Sequence, residues 1–349
     1  MSNKKAYDLF GLVGRALDDY DVERVVAAGG FGIVYFARHN ILKQPVAIKV
    51  MKVPPGLTEA DRATFLKLFL EEAQTIAALK HPAIVGVQSF KVSPMPAGGQ
   101  APWMALDWIE GDTLAEQLAP RRGQGGRAPR ECLRILDPVF DAIAFAHAQG
   151  VAHRDLKPAN LMIPRAAANV TGRFGAMTRV LDFGIAKAMK SHEVAGSGYT
   201  ETASQFQAFS LPYAAMEQVS GTRTGPWTDV HALALILTEM LTDEELYCAE
   251  DRGELMQQVL SPVRPTPAQH GVDVGPWEPV LARALALKPA ERYPNAGEFL
   301  AALEQSVPAQ ARRAPTGQTF PATQAVAQAP QTPAVTVSTT IPVTADRRT

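Results

Sequence analysis

His153-Arg154-Asp155-Leu156-Lys157-Pro158-Ala159-Asn160 is the stretch that decides how this chain reads. It sets an acid, a base and an amide within eight residues and is closed by the apolar run Leu161-Met162-Ile163. Asp155 and Asn160 stand five positions apart, so a tight loop brings carboxylate and amide into one small volume, with Lys157 adding a positive charge between them. A carboxylate for an incoming nucleophile, an amide oxygen for a metal and a cation against a migrating phosphate are what in-line phosphoryl transfer to a hydroxyl requires.

Composition sets the frame around that loop. A chain of 349 residues has room for one large domain or two lobes. Hydrophobic residues at 46% and charged ones at 20% describe an ordinary globular protein, and a net charge of -1 gives no reason to expect a nucleic acid or a membrane surface as partner. Two cysteines, Cys132 and Cys248, with no CxxC, exclude a disulfide framework and a cysteine metal site and suit a reducing cytosol. No long apolar run follows Met1-Ser2-Asn3-Lys4-Lys5, so no signal peptide is expected. The longest apolar stretch, Ala232–Leu237, falls far short of the roughly 20 residues that cross a bilayer. The expectation is a soluble, cytoplasmic protein.

Upstream of the loop, Val22–Val26, Ile33–Ala37 and Val46–Val50 read as strands, separated by a glycine cluster and by Lys43-Gln44-Pro45. Thr58 is placed to cap a helix running to about Lys80, with Phe65, Phe69, Ala73, Ile76 and Leu79 at helical spacing and His81-Pro82 as its stop. Ile84–Val92 and Trp103–Trp108 read as two further strands, with Pro94–Pro102 a flexible surface insertion between them. From Thr113 the texture turns helical: Leu114–Leu118, Arg130–Gln149, Thr228–Leu241 and Val280–Leu287, interrupted by the short strands Leu161–Ile163 and Thr178–Leu181. Residues 165–176 read as another loop insertion. A small β-rich half followed by a larger helical half is a two-lobed α+β arrangement. Residues 306–349 carry six prolines with Ala, Gln and Thr and few large apolar residues, so that tail is expected to be disordered.

Several patterns stand at fixed places around the loop. Gly29-Gly30-Phe31-Gly32-Ile33-Val34 lies between two strands, where glycines let backbone N–H groups approach a phosphate. Such a cluster is also an ordinary hairpin turn, but an exposed Phe31 at its tip would then be costly. In Val46-Ala47-Ile48-Lys49, strand alternation puts Ala47 and Lys49 on one face. On the following helix Glu72 shares a face with Phe69 and Ile76, while Glu71 is rotated about 100° toward Lys67 and Thr75. Glu72 is therefore the expected partner of Lys49, and Glu71 a solvated charge. Asp182-Phe183-Gly184 follows Val180-Leu181, 27 residues after Asp155, and offers Mg²⁺ a carboxylate beside the Asn160 amide.

Together these motifs resemble eukaryotic-type Ser/Thr protein kinases of the bacterial branch, over roughly residues 20–305. The resemblance implies a bilobal kinase fold with an N-lobe of about 20–108 and a C-lobe of about 109–305, preceded by an extension, 1–19. The family pattern Gly-x-Gly-x-x-Gly-x-Val has Ala27 at its first glycine here, with Gly29, Gly32 and Val34 in place. The implied roles are Asp155 as catalytic base, Lys157 against the transferring phosphoryl group, and Asn160 and Asp182 as metal ligands. ATP would be bound by Ala27, Gly29, Gly30, Phe31, Gly32, Val34, Ala47, Lys49, Glu72, Leu106, Asp107, Ile109 and Leu161, with backbone groups of Asp107 and Ile109 meeting the base. Asp229 matches the acid that braces the catalytic loop. Glu217 in Ala215-Met216-Glu217 matches the acid that pairs with Arg292. Residues 182–217 correspond to the activation segment, with Thr200 and Thr202 as phosphosite candidates and Arg154 the cation a phosphate there would meet.

The implied activity is transfer of the ATP γ-phosphoryl group to protein Ser/Thr hydroxyls, with Mg²⁺ as metal and Mn²⁺ as a substitute. Two kinase domains pairing, and the tail docking a partner, are further expectations. One region departs from the family: Phe209-Ser210-Leu211-Pro212-Tyr213-Ala214-Ala215-Met216-Glu217 stands where Gly-Thr-Pro-x-Tyr-x-Ala-Pro-Glu is usual. There Ser210 would supply the hydroxyl that the threonine offers to Asp155 and Lys157. The alternative reading is a pseudokinase, the same fold used for binding alone.

Overall fold

Six strands near the amino terminus form one antiparallel sheet in the order β1-β2-β3-β4-β6-β5. They are β1 (Ala16–Leu17), β2 (Tyr20–Ala28), β3 (Gly32–His39), β4 (Pro45–Met51), β5 (Val87–Pro94) and β6 (Gln100–Asp107). The computed structural model describes residues 7–165, 177–183, 211–249 and 251–306. The insertion at 166–176, Gly184, the phosphosite candidates Thr200 and Thr202, Ser210 and the tail from 307 lie outside the described residues.

Alternation along these strands sorts the sheet into two faces. Tyr20, Val22, Ile33, Tyr35, Val46, Ile48, Val50, Trp103 and Ala105 form one buried cluster. It is closed by Phe10, Leu12 and Leu17 from the segment before β2 and by Met95. Asp8 fixes that segment, accepting from Tyr35 Oη at 2.7 Å and from Val13 N at 2.8 Å. The opposite face carries Ala47, Lys49, Met51, Met104 and Leu106, and against it packs α1 (Glu59–Ala78) through Phe69, Ala73 and Ile76. Thr58 caps α1 as expected, accepting from Asp61 N at 3.2 Å.

The helical half contains α2 (Leu114–Leu118), α3 (Pro129–Ala148), α4 (Met216–Val219), α5 (Pro226–Thr242), α6 (Arg252–Leu260), α7 (Trp277–Ala284) and α8 (Ala296–Ser306). A small sheet, β7 (Gly111–Thr113), β8 (Leu161–Pro164) and β9 (Arg179–Val180), lies in it. From Thr228 to Thr242 every residue of α5 is buried. A helix apolar on all sides belongs in the middle of a bundle, and α3, α7 and α8 pack against it. One hydrophobic cluster joins the two halves, running from Met51, Phe69 and Leu106 to Phe140, Phe183 and Leu233. Each of its fully buried large side chains contributes roughly 1.5–3 kcal/mol.

Several expectations need correction. Pro94–Pro102 is not a flexible insertion. Ladder pairs Val92↔Pro102, Ser93↔Ala101 and Pro94↔Gln100 carry the hairpin almost to its tip. The turn closes with Met95 N donating to Gly99 O at 2.9 Å, and buried Met95 anchors it in the core. Ile84 stands outside β5 as an isolated parallel bridge to Val180, and its N–H donates to His81 O at 3.0 Å in a turn that follows α1. The helix expected at Val280–Leu287 ends at Ala284, and its beginning is Trp277, whose indole donates to Leu303 O at 3.0 Å. The strand Gly111–Thr113 and the helices α6 and α8 had no counterpart in the sequence reading.

Glu217 and Arg292 are both buried and form a two-pronged pair at 2.8 and 3.1 Å. Arg292 also donates to the carbonyls of Ala286 (2.7 Å), Leu287 (2.9 Å) and Trp227 (3.2 Å), and Thr228 Oγ1 donates to Glu217 at 2.8 Å. Removing one partner strands a charge in the interior. Arg292→Met is expected to lower stability by about 3–5 kcal/mol, read as an earlier urea midpoint; an unchanged midpoint would show that the pair carries no stabilisation.

Candidate active site

The 153–160 loop begins where α3 ends. Gly150 takes φ 76°, and Val151 N returns to Ala146 O at 2.9 Å, turning the chain beneath the sheet. Asp229, buried in the first turn of α5, then fixes it. Its carboxylate accepts from His153 N and from Arg154 N, both at 2.7 Å, and from His147 Nε2 at 2.9 Å. Arg154 itself adopts the left-handed region, φ 62°. Burial alone would raise the Asp229 carboxyl, but the His147 hydrogen bond and charge, with the backbone donors, bring it below the usual carboxylate range. The brace expected of Asp229 is therefore present.

Immediately after this anchor, Asp155 meets its expected neighbours. Lys157 Nζ lies 3.2 Å from Asp155 Oδ2. Asn160 Nδ2 donates to Asp155 O at 2.7 Å and approaches Oδ2 at 3.3 Å. His153 is fully buried; its Nε2 donates to Leu181 O at 2.8 Å and its Nδ1 accepts from Asp155 N at 3.2 Å. Burial holds this ring below the ordinary histidine pKa, so it is a neutral strut rather than a base. Leu181 N donates to Asn160 O at 2.8 Å, which sets Asp182 beside Asn160. Phe183 packs in the core with its ring 4.7 Å from that of His153.

Lys49 crosses from the sheet to this centre. Its Nζ lies 3.0 Å from Asp182 Oδ1. Asp182, in a left-handed conformation at φ 50°, is a carboxylate that this ammonium meets. Glu72 is half-buried on α1. Glu71 is the solvated charge expected, 3.8 Å from Lys67 with both exposed.

Strand register gathers the nucleotide-site residues into two transverse rows on one face. Ala27, Val34, Lys49 and Met104 form one, through pairs Ala27↔Val34, Val34↔Lys49 and Lys49↔Met104. Phe36, Ala47 and Leu106 form the next. Met104 was missed, although alternation from Leu106 would have found it. Leu161 is buried in the same cluster as Leu106, and Ile109 packs against that cluster. Asp107 N donates to Gly86 O at 3.0 Å, so of its two backbone groups only the carbonyl is left for a base. Its carboxylate accepts from Gly86 N at 3.2 Å and Gln88 Nε2 at 2.9 Å, holding the start of β5.

Gly29, Gly30 and Phe31 form the turn between β2 and β3. Phe31 is half-buried and packed against the core rather than exposed at a tip. Gly32 is required by close approach, since a Cβ there would lie 2.3 Å from Val50 O.

Hard oxygen donors beside an ammonium suit a magnesium–phosphate group. Asp182 offers a carboxylate, and Asn160, whose Nδ2 is committed to Asp155 O, offers its Oδ1. The residues thus fit Mg²⁺–ATP, with Asp182 and Asn160 toward the metal and Lys49 toward the phosphates. Further along, Tyr213 Oη donates to buried Glu239 at 2.5 Å, Arg122 also pairs with Glu239, and Gln218 Nε2 donates to Arg154 O at 2.8 Å. These contacts, like that of His147, had no sequence signal beyond polar residues in a buried helical stretch.

A sheet-bearing lobe over a helical lobe, with Lys49, Asp155, Asn160 and Asp182 convergent between them, defines a protein-kinase fold and site. The protein kinase domain family matches residues 20–293, and the chain belongs to it. It is 32% identical over 299 residues to the serine/threonine-protein kinase PknB of Mycolicibacterium smegmatis, covering 85% of this chain and 44% of that protein. It is 29% identical over 281 residues to PknA of Mycobacterium tuberculosis, covering 80% of this chain and 59% of that protein. The chain thus spans about half the length of the curated relatives it matches. Among solved structures, the PknI kinase domain of M. tuberculosis superposes with a TM-score of 0.61 at 25% identity, over 84% of this chain and 98% of that one.

The buried histidines give the fold a pH dependence. Burial lowers the pKa of His153, and burial with the charges of Arg292 and Arg264 lowers that of His231 well below the usual value. Unfolding frees both rings to bind protons below about pH 6.5, so the unfolded state then carries more protons and stability falls with falling pH. The thermal midpoint should drop between about pH 7 and about pH 5, and His231→Gln should flatten the slope; a midpoint equal at both pH values would contradict this.

Proposed function

We propose that this protein is an ATP-dependent serine/threonine protein kinase acting in the cytoplasm, where its nucleotide is supplied. The observation that carries the reading is the survival and convergence of the polar set: Asp155 flanked by Lys157 at 3.2 Å and Asn160 at 3.3 Å, and Asp182 ion-paired to Lys49 at 3.0 Å. The names of the PknB and PknA relatives agree with it.

Asp155 orients the acceptor hydroxyl and takes its proton as the new bond forms. Lys157, on the same carboxylate, neutralises charge on the transferring group. Lys49 orients the α- and β-phosphates, and Asn160 holds both the metal-facing amide oxygen and the Asp155 backbone in register. Mg²⁺, for which Mn²⁺ substitutes, would screen the phosphate oxygens when bound. Asp229 fixes the loop before substrate arrives, so catalysis is mostly positioning and charge neutralisation. The reading includes protein substrates with Ser/Thr acceptors, pairing of two kinase domains, docking of a partner by the tail, and autophosphorylation in the activation segment, residues 182–217, with Thr200 and Thr202 the leading acceptors.

Transfer of ³²P from ATP to a generic protein substrate and to the protein itself should fall at least about 100-fold in Asp155→Asn. Equal incorporation by wild type and variant would refute the enzymatic reading and leave a binding module. Mass spectrometry after incubation with Mg-ATP should find phosphate between Lys187 and Tyr213; an unmodified segment would remove autophosphorylation from the proposal.

A further inference from the structure

The turn over the nucleotide site is held by a lysine that no motif singles out. β4 runs past Lys49 to Met51, and the next residue, Lys52, touches the turn twice. Its backbone N–H donates to Phe31 O at 2.9 Å, and its ammonium donates to Gly29 O at 2.7 Å. Gly29 N donates across the turn to Gly32 O at 2.9 Å. One residue therefore grips both carbonyls that bracket Gly30.

The consequence lies in peptide geometry. In a trans peptide the carbonyl of one residue and the N–H of the next point in opposite directions. Holding Gly29 O toward Lys52 therefore directs Gly30 N–H to the other side. Glycine has no Cβ to restrict rotation, and the Gly29–Gly30 unit is flanked by glycine on both sides, so by itself it would flip at little cost. A flipped unit would present a carbonyl oxygen where an N–H is needed, and carbonyls repel phosphate.

We infer that Lys52 is a positioning residue for nucleotide binding: it fixes the Gly29–Gly30 peptide with its N–H directed at the phosphates of ATP. The inference rests on the kinase reading. Lys52 acts through the turn and does not touch the nucleotide, so its removal weakens ligands that carry phosphates and spares those that do not.

The test is the affinity of ATP, ADP and adenosine for the full chain, by calorimetry, in wild type, Lys52→Met and Lys52→Arg. Lys52→Met should weaken ATP and ADP about tenfold and adenosine less than about twofold, and should raise the KM for ATP with little change in kcat. Lys52→Arg keeps a donor of similar reach and should recover most of the affinity, and Lys52→Gln serves if the methionine variant does not fold. ATP affinity within about twofold of wild type in Lys52→Met or Lys52→Gln, or equal losses for adenosine and ATP, would overturn the inference. Failure of the wild type to bind ATP at all would instead overturn the kinase reading beneath it.

Discussion

The carboxylate of Asp229 is the constraint on which the rest of the site depends. A buried anion is unfavourable unless its oxygens are occupied, and here the N–H groups of His153 and Arg154 and the His147 ring occupy them. Left-handed backbone at a residue other than glycine costs of order 1–3 kcal/mol. Hydrogen bonds to a charged group contribute about 1.5–3 kcal/mol each, so the pair from His153 and Arg154 offsets the left-handed strain at Arg154. Asp155 follows directly, so its orientation is settled by the anchor one residue earlier. His153 completes the arrangement by joining the loop to Leu181, so both metal-facing residues descend from the same buried acid.

That logic extends along α5. Asp229 lies in its first turn, Glu239 near its end, and Asp243 just beyond, in left-handed conformation at φ 55°. Each buried acid holds irregular chain outside the helix. Glu239 takes Tyr213 and Arg122, while Asp243 takes Arg121 at 3.0 Å, Arg127 at 3.4 Å and Gly126 N at 3.1 Å. Gly126 must be glycine, with φ 82° and Leu241 O only 1.9 Å from where a Cβ would stand. One apolar helix thus serves as a post, and acids along it tie irregular chain to the core.

The sequence was most legible where chemistry forces residue type. Asp155, Asn160, Asp182 and Lys49 were readable because phosphoryl transfer demands those side chains at about those intervals. Glu217 and Arg292 were readable through the family resemblance, and β2, β3 and β4 because β-branched and aromatic residues cluster between turn signals. The reading failed where a choice between neighbours is settled in three dimensions. The Lys49–Asp182 ion pair joins a strand to a distant segment, and helix-face reasoning alone did not announce it. Pro94–Pro102 looked like a loop by composition because prolines and glycines at a hairpin end resemble those of an insertion. His147, Gln218 and Lys52 make contacts that depend on segments far apart in sequence, so no local pattern could announce them.

The segment before β2 bears on how this domain should be delimited. Family resemblance begins at Tyr20, but Leu12 is fully buried and Phe10 nearly so, and Asp8 bonds the hydroxyl of Tyr35 in the middle of the sheet. A fragment trimmed to the homologous boundary would keep every catalytic group and lose the strap over Tyr35 and Trp103. Its uncovered sheet would be an adhesive surface, prone to self-association before any chemistry could be assayed. The functional unit is therefore longer than the homologous one, and a domain graft or minimal fragment has to carry this strap along.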